Sequence, residues 1–257
     1  MATITVAATR TNEDRVYVLL AGLCTAIALT GFAGTYWLQL PFGTFVGSPL
    51  VHLHGLLFSV WTLFFLWQAM LIANRRNANH RAWGLAGIAL ASAMVFTGSA
   101  VAIAGLHDRI AQGHAEAGRA FLVVPLTAIW LFAGFVIAAM VRRRSTDWHK
   151  RLMLVANANL IGAAIARFFF LALTGGGPGL RPGLGPPATT TTALIPSLLA
   201  YVVILIGMGF DWRARGRPHP AYVWGLGISV AVVVVRGPLS GTESWSAFAD
   251  FLAGFAR

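Results

Sequence analysis

Histidines carry most of the chemistry this chain could do. His52 and His54 form an H-x-H pair in VHLHG, just before a long apolar run. His80 follows in NHRAWG, His107 and His114 flank a short polar stretch, His149 lies in DWHKRLML and His219 in GRPHPAY. Neutral imidazole is a strong ligand for haem iron, copper and zinc. Histidines on facing helices are the usual way a helical bundle builds such a site. A lone histidine at a helix end more often only anchors that end, so pairing between elements decides which reading holds.

The elements that position these side chains are membrane spans. Of 257 residues, 57% are hydrophobic and only 11% charged, with a mean hydropathy of +0.72. Soluble chains carry roughly 25% charged residues, and a bilayer core needs about 20 apolar residues per helical span. Seven stretches qualify, approximately 16–38, 50–74, 82–106, 116–141, 152–174, 193–210 and 221–236. Little remains for a soluble domain. The expected fold is all-α: one integral membrane bundle of seven transmembrane helices, with an amphipathic C-terminal helix lying in the interface. The first span is too long for a signal-peptide core and has no evident cleavage site, so it reads as a retained helix.

Charge sets the expected orientation. Arg75, Arg76 and Arg81, then Arg142, Arg143, Arg144, Lys150 and Arg151, then Arg213, Arg215 and Arg217 gather in alternate loops. Loops on the other side hold Arg109, Arg119 and Arg181, and the tail adds Arg236 and Arg257. The positive-inside rule then predicts a membrane protein with its N-terminus in the cytoplasm and its C-terminus outside. The formal charge of +11 marks topology and contact with anionic lipid rather than a nucleic-acid surface. Cys24 is the only cysteine, which excludes disulfides and cysteine-ligated metal sites within the chain. Lys150, the only lysine, falls in a cytoplasmic loop, which excludes a retinal Schiff base in the last span.

On this frame the histidines form two sets. His52 or His54 on the second span and His114 at the start of the fourth, with His107 nearby, make an outer set. His80 and His149, opening the third and fifth spans, make an inner one. At 100° per residue His54 shares a face with Trp61, Phe65, Gln68 and Ile72, while His52 points away. Gln68, deep in a span, needs a polar partner, so that face should look into the bundle and His54 is the inward ligand. If VHLHG were extended, both rings would share one side and chelate a metal together. Arg167 lies about five helical turns beyond His149 and needs an anionic partner. Glu116 could pair with it, and so could a cofactor carboxylate, with Arg119 flanking the same place. Asn157 and Asn159 suit hydrogen bonds between helices.

Two segments stand apart from the spans. TGGGPGLRPGLGPPATTTT, residues 174–192, has no periodicity and reads as an irregular outer loop, either a connector or a lid. The tail, residues 240–257, places Trp245, Phe248, Phe251, Leu252 and Phe255 on one helical face, for the interface or for a partner protein.

The alternating histidines resemble those of the two-haem transmembrane b-type cytochromes of the ascorbate-reducible kind. That resemblance implies an outer haem held by His54 (or His52) and His114, and an inner haem held by His80 and His149. Arg167 and Arg119 would then lie beside a haem propionate. The motifs "HG" followed by Gln68, "HRAWG" and "HKRLML…ANLIGAAIARF" are also similar to those of a broad group of bacterial membrane proteins, over roughly residues 50–170; that likeness supplies no activity.

Three functions follow, in this order. The first is an electron carrier with one or two b-type haems on paired histidines. The second is a cofactor-free accessory or scaffold subunit of a membrane complex. The third is a copper or zinc protein with an outer cluster of His52, His54, His107 and His114. Nothing in the sequence resembles a nucleophile–base–acid array, so whether the chain is an enzyme stays open.

Overall fold

A computed structural model of the chain describes residues 2–180, 182–183 and 187–255, with side chains from residue 13 onward. Arg181 and Arg257 lie outside the described residues. The described structure is all-α. Its helices are α1 (Ala2–Phe32), continued by a π-helical turn (Ala33–Trp37), α2 (Pro49–Ala73), α3 (Asn77–Ala111), α4 (Ala115–Val141), α5 (Thr146–Thr174), α6 (Leu194–Ala200), α7 (Val202–Arg215), α8 (Pro220–Ser240) and α9 (Glu243–Gly254). Seven candidate spans result, with α6 and α7 forming one and the first running from Glu13 to Trp37. The chain is an integral membrane helical protein.

Several helices outrun the apolar stretches that announce them. α3 begins at Asn77 rather than near 82 and ends at Ala111 rather than near 106, and α5 begins at Thr146 rather than near 152. Hydropathy sees only the part of a helix that needs lipid, whereas polar first turns remain helical in the interface. His80 and His149 therefore do not open their helices. Each is the fourth residue of its helix, with its backbone N–H on the carbonyl of Arg76 (3.1 Å) and Ser145 (3.0 Å) respectively.

Helices α1 to α5 close a ring: each packs on the next, and α5 packs on α1. Buried Trp61, Met94, Phe132 and Leu154 belong to its apolar core. Close approach needs small residues where helices cross in lipid. A Cβ on Gly31 of α1 would lie 2.5 Å from the Ala164 carbonyl oxygen of α5, and one on Gly225 of α8 would lie 2.8 Å from Val155. Helices α6, α7 and α8 lie against α5, and α8 also reaches α4.

Several polar groups in the middle of the bundle are satisfied across helices, as a medium without water demands. Trp61 Nε1 donates to Asn157 Oδ1 (3.0 Å). Asn159 Nδ2 donates to Ser229 Oγ (3.0 Å), and Tyr201 Oη donates to Asn159 Oδ1 (2.9 Å). These bonds tie α2 to α5, and α5 to α8 and to the joint between α6 and α7.

The loops carrying Arg75 and Arg76, residues 142–144 and residues 213–217 share one end of the bundle, the basic end. The Gly/Pro segment and α9 belong to the far end. The Gly/Pro segment is tied down where it is described: the Leu180 carbonyl accepts from Gln39 Nε2 (2.8 Å), and the Gly183 carbonyl accepts from Gln112 Nε2 (3.4 Å). It thus lies across the ends of α1 and α3.

α9 docks on the bundle by part of its apolar face. Trp245, Ala249 and Ala253 are buried, with Phe248 and Leu252 beside them, against residues of α3 and α4. Phe251 and Phe255 point away and stay 60% and 73% exposed. Thr242 caps α9 by accepting from Trp245 N (3.2 Å), and Trp245 Nε1 reaches the Arg119 carbonyl (2.8 Å).

Candidate functional site

At the basic end, the first turns of α3 and α5 bring two imidazoles together. The His80 and His149 ring centroids are 6.2 Å apart and the ring planes nearly perpendicular, at 79°. His149 Nδ1 lies 3.0 Å from the Ala139 carbonyl of α4. That bond places the proton on Nδ1 and leaves Nε2 with its lone pair, the tautomer a metal-bound histidine needs. His80 Nδ1 is buried without a partner, and so is Nε2 of buried Gln68 on α2. The pair therefore joins α3, α4 and α5, and His80 Nδ1 has hydrogen-bonding capacity that no described residue uses.

The remaining sequence candidates lie apart from this pair. VHLHG is helical from Pro49 onward, so His52 and His54 do not share a side. His52 Nδ1 meets the Tyr36 hydroxyl (3.2 Å) and its ring abuts Phe45. His54 stacks on Phe58, with ring centroids 4.1 Å apart, and its Nδ1 is buried without a partner. His114 immediately precedes α4, with no capping bond from its side chain, beside an open depression of about 350 Å³ lined by residues 113–117 and Ala120. Among the described residues, no ring contact joins His52 or His54 to His114. Nor do three His, Cys, Asp or Glu side chains converge as a metal site would require, so His52, His54, His107 and His114 are not gathered into one cluster.

The arginines also have other company. Among the described residues Arg167 forms no ion pair with Glu116, which is exposed in the first turn of α4. Arg167 turns toward α1 instead, with its guanidinium carbon 4.3 Å above the Phe32 ring and Nη1 on its own helix's Ala163 carbonyl. Arg119 pairs with Asp250 of α9 at 2.7 Å. That contact is half-exposed and holds α9 to α4, a modest contribution for a solvated pair.

The sequence reading missed a second polar centre at the basic end. Arg151 was expected among loop cations beside lipid headgroups; it is 0% exposed. Its Nε donates to Asp211 Oδ2 (2.8 Å) and its Nη2 to Asp211 Oδ1, while Nη2 also reaches Glu13 (2.8 Å) and Nη1 reaches Asp147 (3.1 Å). Lys150 and Arg215 share the Glu13 and Asp147 carboxylates. Asp211 Oδ2 accepts from His219 N (3.1 Å), and a Tyr222–Tyr17 hydroxyl pair (3.0 Å) adjoins the guanidinium. The cluster locks α1, α5, α7 and the start of α8. Burial, and then the Arg151 charge, lower the His219 pKa below its ordinary 6.5, which suits its Nδ1 accepting from Ala221 N at the cap of α8. A sequence signal existed: Asp211 directly follows the apolar stretch 193–210, an acid at the end of a span that calls for a partner.

The chain matches no protein-family model, no curated protein and no solved structure.

Proposed function

We propose that the protein is a membrane electron carrier in which His80 and His149 hold one b-type haem at the basic end. The observation that carries this reading is the ring pair itself, with His149 Nδ1 bound to the Ala139 carbonyl. At 6.2 Å between centroids, the two rings are close enough that both would hold one bound group. The unpartnered His80 Nδ1 supplies hydrogen-bond capacity within the pair. When bound, haem would supply a one-electron couple. The chain's own contribution is to fix both rings, orient His149 through Ala139, and keep the site where α3, α4 and α5 meet. The outer pairing of His54 or His52 with His114 has no such geometric support, so one haem is proposed.

The positive-inside rule favours the basic end facing the cytoplasm of a bacterial inner membrane, with α9 on the opposite side.

The test is a visible spectrum of detergent-purified protein made with ample haem, oxidised and then dithionite-reduced. A Soret band with sharp reduced α and β bands is expected. His80→Ala and His149→Ala should abolish it, and His114→Ala should leave it intact. A featureless wild-type spectrum would leave a cofactor-free membrane scaffold as the function. That second reading is supported by the docked α9 and by the filled interior around Trp61 and Phe132.

A further inference from the structure

Arg236 stands about one turn before the end of α8, within reach of the headgroup region for a side chain as long as arginine. It does not go there. It belongs to the buried face of α8, with Ser229, Val233 and Ser240, and is only 4% exposed. Nε donates to the Thr127 hydroxyl of α4 (2.6 Å), and Nη1 donates to the Ser197 hydroxyl of α6 (3.1 Å). The guanidinium is thus held where α4, α6 and α8 meet.

Its partners are all neutral. The two hydroxyls give their own protons to helix carbonyls, Thr127 to Val123 (2.6 Å) and Ser197 to Ala193 (2.8 Å), so they accept from Arg236 without cancelling its charge. Among the described residues no carboxylate pairs with Arg236. Glu13, Asp147 and Asp211 are engaged at the basic end, and Asp250 is engaged with Arg119. A guanidinium has five N–H donors; Nε and Nη1 spend one each here, and Nη2 bonds to no described residue. Buried charges are normally paired, and an ionisable group inside a span calls for a named partner.

We propose that Arg236 binds a small inorganic anion of the chloride class between α4, α6 and α8. The anion supplies the missing negative charge and accepts the N–H groups that the protein leaves over. Burial selects its size: a group enclosed by three helices and 4% exposed suits a single ion rather than a head group carrying a chain. Once bound, the ion fastens α6 to α4 and α8, so occupancy is read as stability of the folded chain.

The experiment is thermal unfolding of the full chain in a neutral maltoside detergent, with sodium gluconate replaced stepwise by sodium chloride at constant ionic strength. The wild-type midpoint should rise with chloride and then level off. Arg236→Gln should lose that response. Arg236→Lys keeps the charge without the fork, and should raise the chloride concentration needed for half the effect about tenfold, the loss of one charge-assisted hydrogen bond. Arg213→Gln at the basic end should respond as the wild type does. If Arg236→Gln fails to fold, the lysine variant decides the matter. A wild-type midpoint indifferent to chloride overturns the proposal, and so does a chloride response that Arg236→Lys leaves unchanged. A midpoint that ignores chloride but rises with added phosphatidylglycerol also overturns it, and gives the Arg236 charge to a lipid phosphate. The readout involves no haem, so this site stands or falls separately from the His80–His149 pair.

Discussion

At the scale of single residues, Arg151 is the most consequential side chain outside the histidine pair. It is fully buried and bonded to three carboxylates on three helices. Removing Arg151 leaves the buried Asp211 without its cation, at a cost of about 3–5 kcal/mol, while Glu13 and Asp147 keep Lys150 and Arg215. Arg151→Met should therefore lower the unfolding midpoint in detergent sharply, and adding Asp211→Asn should recover part of the loss. An unchanged midpoint would mean that the cluster contributes no net stability. The sequence presented Arg151 only as a topological charge and did not reveal its meeting with Asp211, which lies 60 positions away and is brought there by packing. His80 and His149, by contrast, were paired from the sequence alone. Consecutive short-looped spans alternate direction, so the starts of the third and fifth must lie at the same end.

At the scale of elements, the interface between α1 and α5 depends on the absence of a side chain at Gly31. A Cβ there would lie 2.5 Å from the Ala164 carbonyl oxygen, a backbone atom that cannot rotate away. Gly31→Ala should thus force α1 outward and cost about 1–3 kcal/mol, the usual penalty of overpacking. Gly22→Ala on the same helix, where a Cβ would meet nothing within 4 Å, should be neutral or slightly stabilising. Thermal unfolding of the two variants side by side separates the outcomes, and equal midpoints would remove Gly31 from the interface. Apolar length was enough to find every span, but helix ends were misjudged where polar first turns extend beyond the lipid. α9 shows the same limit: its amphipathic face was legible, yet docking buries only the Trp245–Ala249–Ala253 side and leaves Phe251 and Phe255 outside.

For the whole molecule, seven candidate spans crossed in turn predict that Glu13 and α9 lie on opposite sides. Replacing Cys24 by Ser gives a background for single-cysteine labelling with an impermeant maleimide on intact cells. A cysteine at Thr190 should label, and one at Arg143 should label only after lysis; the reverse pattern would overturn the proposed orientation. Fold class was readable because the bilayer admits so few solutions for a chain this apolar. The sites were only half readable. A pair such as His80 and His149 follows from topology, whereas the inward turn of Arg236 depends on a side-chain direction that no spacing rule supplies.

The turns at the basic end are short: three residues separate α2 from α3, and four separate α4 from α5. His80 and His149 each stand four residues into the helix that follows. The geometry of the pair is therefore written in loop length as much as in side-chain identity, since one inserted residue in either turn would rotate its histidine away from the other. Over evolutionary time, insertions and deletions should accumulate in the long Gly/Pro segment at the far end and be purged from these two turns. In a lineage that keeps both histidines, fixed loop length would be the signature that the pair still works as a unit.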